Sequence, residues 1–315
     1  MVAVAQLVEP RVVISAVVGS SPIGHPISRI PRVLAVFASL LTAGVAVAGD
    51  AVPQLFVAGD STASEYKPNP KNQQGWGAVL QPFFEESKLR VVNVARGGRS
   101  SRTFITEGHW DRMLTEVRAG DFVIIQFGHN DSGALNQEPP GSTKPLRARG
   151  TIPGIGDESE EIDNVITGKH ETVYSFGWYL RKMIEDTRAK GATPILFTLT
   201  KTNHWKEGRI PCAADGYRLW TWQTATNQHA AFVDLSRLIA DRFQREGPDA
   251  VTAQFIDDTV HTNITGAEAN ARDAVAGLRA IESLPFKAML SKAGRAVDAD
   301  RGPLKTAVCP QLRVP

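Results

Sequence analysis

Phe122-Val123-Ile124-Ile125-Gln126-Phe127-Gly128-His129-Asn130-Asp131 opens with four apolar residues in a row and closes on a glycine followed by three polar side chains. A strand that is apolar at every position must be buried on both faces, and sheets covered on both faces are built from parallel strands with crossover helices. Working outward, four more short runs rich in β-branched or apolar residues occur at 54–58, 90–95, 194–200 and 231–235, joining 121–127. Helices are expected at 76–87, 173–190, 216–228, 235–245 and 265–283, the last opened by Thr265-Gly266-Ala267-Glu268, a capping-box pattern. The alternation of strands and helices predicts an α/β fold, a three-layer α/β/α sandwich around a five-stranded parallel sheet.

In such a sheet the carboxyl ends of the strands face the ligand crevice. Gly59-Asp60-Ser61-Thr62 follows the first strand, Gly97-Gly98-Arg99-Ser100 the second and Gly128-His129-Asn130-Asp131 the third, with Asp258-Thr259-Val260-His261 ahead of the final helix. Nucleophilic catalysis by a hydroxyl needs a serine at an exposed turn, a histidine to take its proton and a carboxylate to orient the ring. Ser61, His261 and Asp258 supply the three, and Asp257 is the nearest rival for the acid. A lone Gly-Asp-Ser reads as a helix cap. The downstream motifs turn the reading toward a nucleophile presented at a strand-to-helix turn near helix-terminal amides, with Asp60 as a structural acceptor. The oxyanion needs donors, for which the amide of Gly98 and the side chain of Asn130 are candidates. Turn chemistry is the plainer reading of each glycine and asparagine, and their shared position at strand ends favours function. His129 and His261 could also be metal ligands, but no HExxH or cysteine-histidine pattern accompanies them. No metal or cofactor is expected.

At these residues the chain resembles the SGNH, or GDSL-type, hydrolases, through Ser61, Gly98, Asn130 and His261. Gly75-Trp76-Gly77, Gly97-Gly98-Arg99-Ser100-Ser101-Arg102-Thr103 and Phe127-Gly128-His129-Asn130-Asp131 are similar to the rhamnogalacturonan acetylesterase branch in particular, over residues 54–284. The resemblance implies a flavodoxin-like fold with strand order 2-1-3-4-5 and metal-free ester hydrolysis through an acyl-serine. It implies Ser61 as nucleophile, His261 as base and then acid, Asp258 as orienter, and an oxyanion hole from Ser61, Gly98 and Asn130. The expected activity is deacetylation of pectic polysaccharide, most of all rhamnogalacturonan. Acetyl xylan esterase, another GDSL-type esterase or lipase, and a non-catalytic carbohydrate-binding protein are the alternatives.

The rest of the chain bounds this reading. Val33-Leu34-Ala35-Val36-Phe37-Ala38-Ser39-Leu40-Leu41, preceded by Arg29 and Arg32 and followed by Ala46-Val47-Ala48, reads as a secretory signal peptide. It is shorter than the roughly 20 residues that a membrane-spanning helix needs. The long lead before Arg29 suggests a misassigned start. Residues 1–48 are therefore expected to be a leader, 49–291 the hydrolase domain and 292–315 a C-terminal tail, with the protein secreted or periplasmic. The formal net charge of +2 over 315 residues, without clusters, argues against nucleic acid and against stable membrane association. Cys212 and Cys309 are the only cysteines, and either a disulfide or two free thiols fits. Residues 132–171, rich in proline and glycine, show no period and are read as a substrate-shaping insertion leaving the third strand. The loop at 201–214 is expected to overhang the site, with His204 and Trp205 lining it beside Trp76 and His129.

Overall fold

Leu55 and Val57 point to one side of a sheet and Phe56 and Ala58 to the other, and all four are fully buried. This division runs through the whole molecule, seen in a computed structural model that describes residues 51–143, 145–303 and 308–312. The expected leader lies outside the described residues. The strands are β1 (Gln54–Gly59), β2 (Arg90–Asn93), β3 (Phe122–Gln126), β4 (Ser159–Asp163), β5 (His170–Tyr174), β6 (Thr193–Phe197) and β7 (Ala231–Val233). Five of them form a parallel sheet in the order β2-β1-β3-β6-β7. That is the expected order, 2-1-3-4-5, once the small antiparallel hairpin β4–β5 is set apart.

The helices are α1 (Ser101–Thr106), α2 (His109–Leu114), α3 (Phe176–Ala189), α4 (Gly216–Asn227), α5 (Leu235–Glu246), α6 (Pro248–Thr252), α7 (Ile264–Ala280), α8 (Phe286–Met289) and α9 (Lys292–Arg295). One core layer joins Leu55, Val57, Ile124, Ile195 and Phe197 to Trp76 and to the apolar faces of α5 and α7. The other joins Phe56, Ala58, Val123, Ile125 and Leu196 to α1, α2, α3 and α4. Burying each large aliphatic or aromatic side chain contributes about 1.5–3 kcal/mol, which is why continuous apolar strands select this three-layer arrangement.

Several local expectations change. Residues 76–87 form two short 3-10 turns, Trp76–Val79 and Gln81–Phe83, in place of an α-helix. Pro82 lacks an amide proton, and the Gln81 side chain intercepts the backbone instead, accepting from Val91 N at 2.6 Å and donating to Leu89 O at 3.1 Å. Asn263 caps α7, its side chain accepting from Gly266 N, so Thr265 lies inside the helix. The segment 292–315 is no loose tail where it is described. Helix α9 docks through Arg295 onto Glu85, Arg237 pairs with Asp300, and Val308 N donates to Asp241 Oδ1. A disulfide joins Cys212 to Cys309 and closes the question of their pairing. Among the described residues no helix is long and apolar enough to cross a membrane.

Candidate active site

Strand β1 delivers Asp60 and Ser61 to a tight turn, in which Ala63 N donates to Asp60 O at 3.2 Å. The fully buried Asp60 carboxylate accepts from Thr62 N and from the Thr62 hydroxyl, each at 2.8 Å. No helix begins at this turn, so Ser61 is not a helix cap, contrary to the strand-to-helix expectation. The turn is braced instead by the segment after it: Gly75 N donates to Ser64 O and Trp76 N to Thr62 O. A Cβ on Gly75 would lie 2.3 Å from the Ala63 carbonyl carbon, so only glycine fits against the serine turn there.

Ser61 is 8% exposed, and its Oγ lies 2.9 Å from His261 Nε2. His261 Nδ1 lies 2.6 Å from Asp258 Oδ2, while Asp258 Oδ1 accepts the amides of Val260 and His261, each at 2.7 Å. Burial works to raise the Asp258 carboxyl, but the His261 ring and these two amides outweigh it and hold it below the ordinary value. An ionised Asp258 fixes Nδ1 as the protonated nitrogen and leaves Nε2 free to accept from Ser61. Asp257, the rival acid, is exposed and turned to solvent. The loop carrying the pair is anchored on both sides, by Ile256 N on His261 O at 3.0 Å and by Gln74 N on Thr262 O at 2.8 Å.

Gly98 has φ of +79°, a left-handed conformation that suits glycine. Asn130, 6% exposed, donates from Nδ2 to Arg99 O at 2.8 Å. A primary amide has a second N–H, and Asn130 lines the same cleft as Ser61, Gly98 and His261. The structure thus brings together all five residues named from the sequence. It keeps others away. Trp76 is fully buried, stacked on Phe197 and donating to Gln126. Trp205 packs on the core and donates to Asn203, and the 201–214 loop does not overhang the cleft. That loop braces the base instead, through Asn203 N on Thr259 O at 2.8 Å. Ser100 caps α1 with Thr103 in a capping box, and Ser101 donates to Asp131. His129 lines the cleft and meets Thr200 Oγ1 at 2.9 Å, its ring held toward the neutral form first by burial. Among the described residues no three His, Cys, Asp or Glu side chains are grouped to hold a metal.

The cleft measures about 1330 Å³. Its second wall is residues 132–171, including Leu135, Leu146, Arg147, Arg149 and Ile166, with Leu146 and Ile166 left exposed. Arg102, fully buried, fastens this wall: it forms two bonds to Glu171, at 2.7 and 2.9 Å, and donates to Leu135 O and Gly150 O. Tyr66, which sequence reasoning passed over, also lines the cleft and donates to Ser61 O at 3.0 Å. Burial and the charge of Asp60 push its hydroxyl up to about 12, so it stays a donor. No periodicity or motif around Tyr66 marks it.

A family model for the GDSL-like lipase/acylhydrolase family matches residues 57–269. The chain belongs to that family. It is an ester hydrolase. This GDSL-family chain is 30% identical to rhamnogalacturonan acetylesterase of Emericella nidulans over 213 residues, covering 68% of the chain and 79% of that protein. It is 29% identical to the probable rhamnogalacturonan acetylesterase YesY of Bacillus subtilis over 243 residues, covering 76% of the chain and 97% of that protein. The crystal structure of YxiM from Bacillus subtilis superposes with a TM-score of 0.56 at 27% identity, covering 73% of the chain. The chain spans 56% of the length of that solved structure.

Proposed function

We propose that the protein is an exported carbohydrate esterase that removes acetyl groups from rhamnogalacturonan. The observation that carries the reading is the continuous hydrogen-bonded chain Ser61 Oγ, His261 Nε2, His261 Nδ1, Asp258 Oδ2, with links of 2.9 and 2.6 Å, on a cleft of about 1330 Å³. Ser61 Oγ attacks the acetyl carbonyl as His261 Nε2 takes its proton. The amides of Ser61 and Gly98 and the second N–H of Asn130 receive the oxyanion. His261 then gives the proton to the departing sugar oxygen, and the C–O bond breaks to leave an acetyl-serine. Water, deprotonated by His261, adds to that ester, and the bond from Ser61 Oγ to the acyl carbon breaks as His261 returns the proton to Oγ, releasing acetate. Asp258 stays ionised throughout and stabilises the imidazolium.

The substrate class rests on the named relatives and on the size and mixed polarity of the cleft. Export rests on the apolar leader and its Ala46-Val47-Ala48 end.

The test is acetate release by the full chain from acetylated rhamnogalacturonan, acetylated homogalacturonan and acetylated xylan, beside Ser61→Ala. Release from rhamnogalacturonan that Ser61→Ala abolishes supports the proposal. Release from xylan alone keeps the mechanism and overturns the substrate, and undiminished release by Ser61→Ala overturns the nucleophile. For export, N-terminal sequencing of protein recovered outside the cytoplasm is expected to begin at Gly49.

A further inference from the structure

Arg147 and Arg149 flank Ala148, which adopts the left-handed region with φ of +42°. Both guanidinium groups come to Gly98. A Cβ built there would lie 3.7 Å from Arg147 Nη1 and 3.7 Å from Arg149 Nη1, so the two nitrogens are no farther apart than twice that distance. Arg149 Nη1 also donates to Gly98 O at 3.0 Å. Burial lowers its pKa and the charge of Arg147 lowers it further, while the charges of Asp131, Asp60 and Glu138 act the other way.

Other arginines around the cleft and core have carboxylate partners: Arg99 has Glu107, Arg102 has Glu171, Arg218 has Asp234 and Arg242 has Asp273. Among the described residues neither Arg147 nor Arg149 forms an ion pair, and Arg147 has no hydrogen-bond partner. Of the carboxylates lining the cleft, Glu107 is engaged by Arg99 and His109. Among the described residues Glu138 and Glu160 line it without forming an ion pair. Two like charges held this close repel unless an anion lies between them. The Arg149 bond to Gly98 O has a structural use, whereas Arg147 is exposed on the cleft wall and keeps its guanidinium free for a ligand. Arg147 also lines a smaller pocket of about 240 Å³, together with Lys169, Glu107 and Glu171.

We propose that Arg147 and Arg149 form a carboxylate subsite, which receives the uronate group of the sugar that carries or adjoins the acetyl ester. This rests on the reading of the cleft as an acetylpolysaccharide site. It makes the insertion a selector of anionic over neutral polymers. A planar guanidinium pairs with a carboxylate through two N–H groups, whereas a neutral xylan offers only hydroxyls to it.

The experiment compares kcat/KM for acetate release from acetylated rhamnogalacturonan and from the same polymer with its carboxylates reduced to alcohols. It uses the full-chain protein, Arg147→Gln and Arg147→Lys, with the thermal midpoint of each as a folding control. The unaltered protein is expected to favour the carboxylated polymer by about ten-fold or more, the scale of a charged hydrogen bond. Arg147→Gln should erase most of that ratio through KM, and Arg147→Lys should restore part of it. A ratio near one in the unaltered protein, or one that Arg147→Gln leaves intact, overturns the subsite. Binding of an oligogalacturonide to Ser61→Ala, with and without Arg147→Gln, is measured by calorimetry. If neither polymer releases acetate, the proposed function falls. Binding that depends on Arg147 then still upholds the subsite, and its absence overturns it.

Discussion

The two walls of the cleft are built on different principles. The first consists of the carboxyl ends of β1, β2 and β3 with the loop before α7, and each functional group stands on a short turn or loop tied to the sheet or to α7. The second, residues 132–171, has little core of its own: Ile162 and Val173 are the buried apolar residues of its hairpin, and Ser159, Glu160, Glu161 and Asp163 are exposed. It is held by polar ties from elsewhere, above all Arg102 on Glu171. Under the function proposed above, the contrast assigns chemistry to the strand-end wall and substrate selection to the attached one. The first wall should answer mutation in kcat, and the second in stability and KM.

The sharpest attempt to break this contrast is His261→Ala. Loss of the base is expected to lower kcat by about 10⁴-fold or more, roughly 5.5 kcal/mol of transition-state stabilisation, on small and polymeric acetates alike. The thermal midpoint should move little, since the His261 side chain is partly exposed and packs no core. Equal rates, or a collapse of the fold, would erase the distinction from the side of the first wall.

Arg102→Ala approaches from the other side. Removing one partner of a buried ion pair typically costs about 3–5 kcal/mol, and this change also strips donors from Leu135 O and Gly150 O. Chemical denaturation should show that loss, while kcat on a small aryl acetate stays within a few-fold and KM for the polymer rises. A fall in kcat on the small ester equal to that on the polymer would mean that the second wall shapes the catalytic centre itself.

These two variants also mark the boundary of what could be read from the sequence. The strands were legible because β1, β3, β6 and β7 are apolar at most positions, and the site residues because three short motifs follow strands and a fourth precedes the last long helix in one chain order. The hairpin β4–β5 was not, since Ser159-Glu160-Glu161-Ile162-Asp163 has no apolar period and its anchor, Arg102, is 69 positions from Glu171. Helix α1 went unseen because Ser100 and Thr103 were weighed as part of a glycine motif, although Ser-x-x-Thr is itself a capping signal. The helix expected at 76–87 failed for the opposite reason: an apolar pattern was given more weight than Pro82 and the side-chain competition of Gln81. Trp76 was expected to line the crevice, and only the packing on Phe197 shows it to be core.

Asn130→Ala sharpens the first wall from within. If Asn130 holds the oxyanion, its loss should lower kcat by about 10²–10³-fold, or about 2.7–4 kcal/mol, with KM for a small acetate nearly unchanged. Part of any loss could come from the bond to Arg99 O. Asn130→Asp loses the same bond to Arg99 O and in addition puts negative charge where the oxyanion forms, so it should fall below Asn130→Ala. Activity of Asn130→Asp at the level of the unaltered protein would remove Asn130 from the oxyanion hole.

Asp131 is where the walls meet, and it predicts the smallest effect. Its carboxylate accepts from Ser101 N, Ser101 Oγ and Gly128 N, which ties α1 to the turn after β3, and its carbonyl accepts from Thr151 N of the insertion. Burial pushes its pKa from 3.8 up to about 7, against the pull of the Ser101 donors and with a contribution from the charge of Asp60. The folded protein thus keeps a proton that the unfolded chain releases. Stability from this group is full below pH 3.8, declines as the pH rises and is lost once the pH passes about 7. Between about pH 5 and pH 7 the loss is about 2 kcal/mol, from roughly 1.4 kcal/mol per unit. Asp131→Asn cannot titrate, and its amide group offers no acceptor to Gly128 N, so it should be less stable at every pH. The informative quantity is the gap between the two proteins, which should narrow by about 2 kcal/mol over that interval as the unaltered protein loses its advantage. A gap that stays constant would show that Asp131 is ionised throughout, and that the three donors, not burial, govern the junction of the two walls.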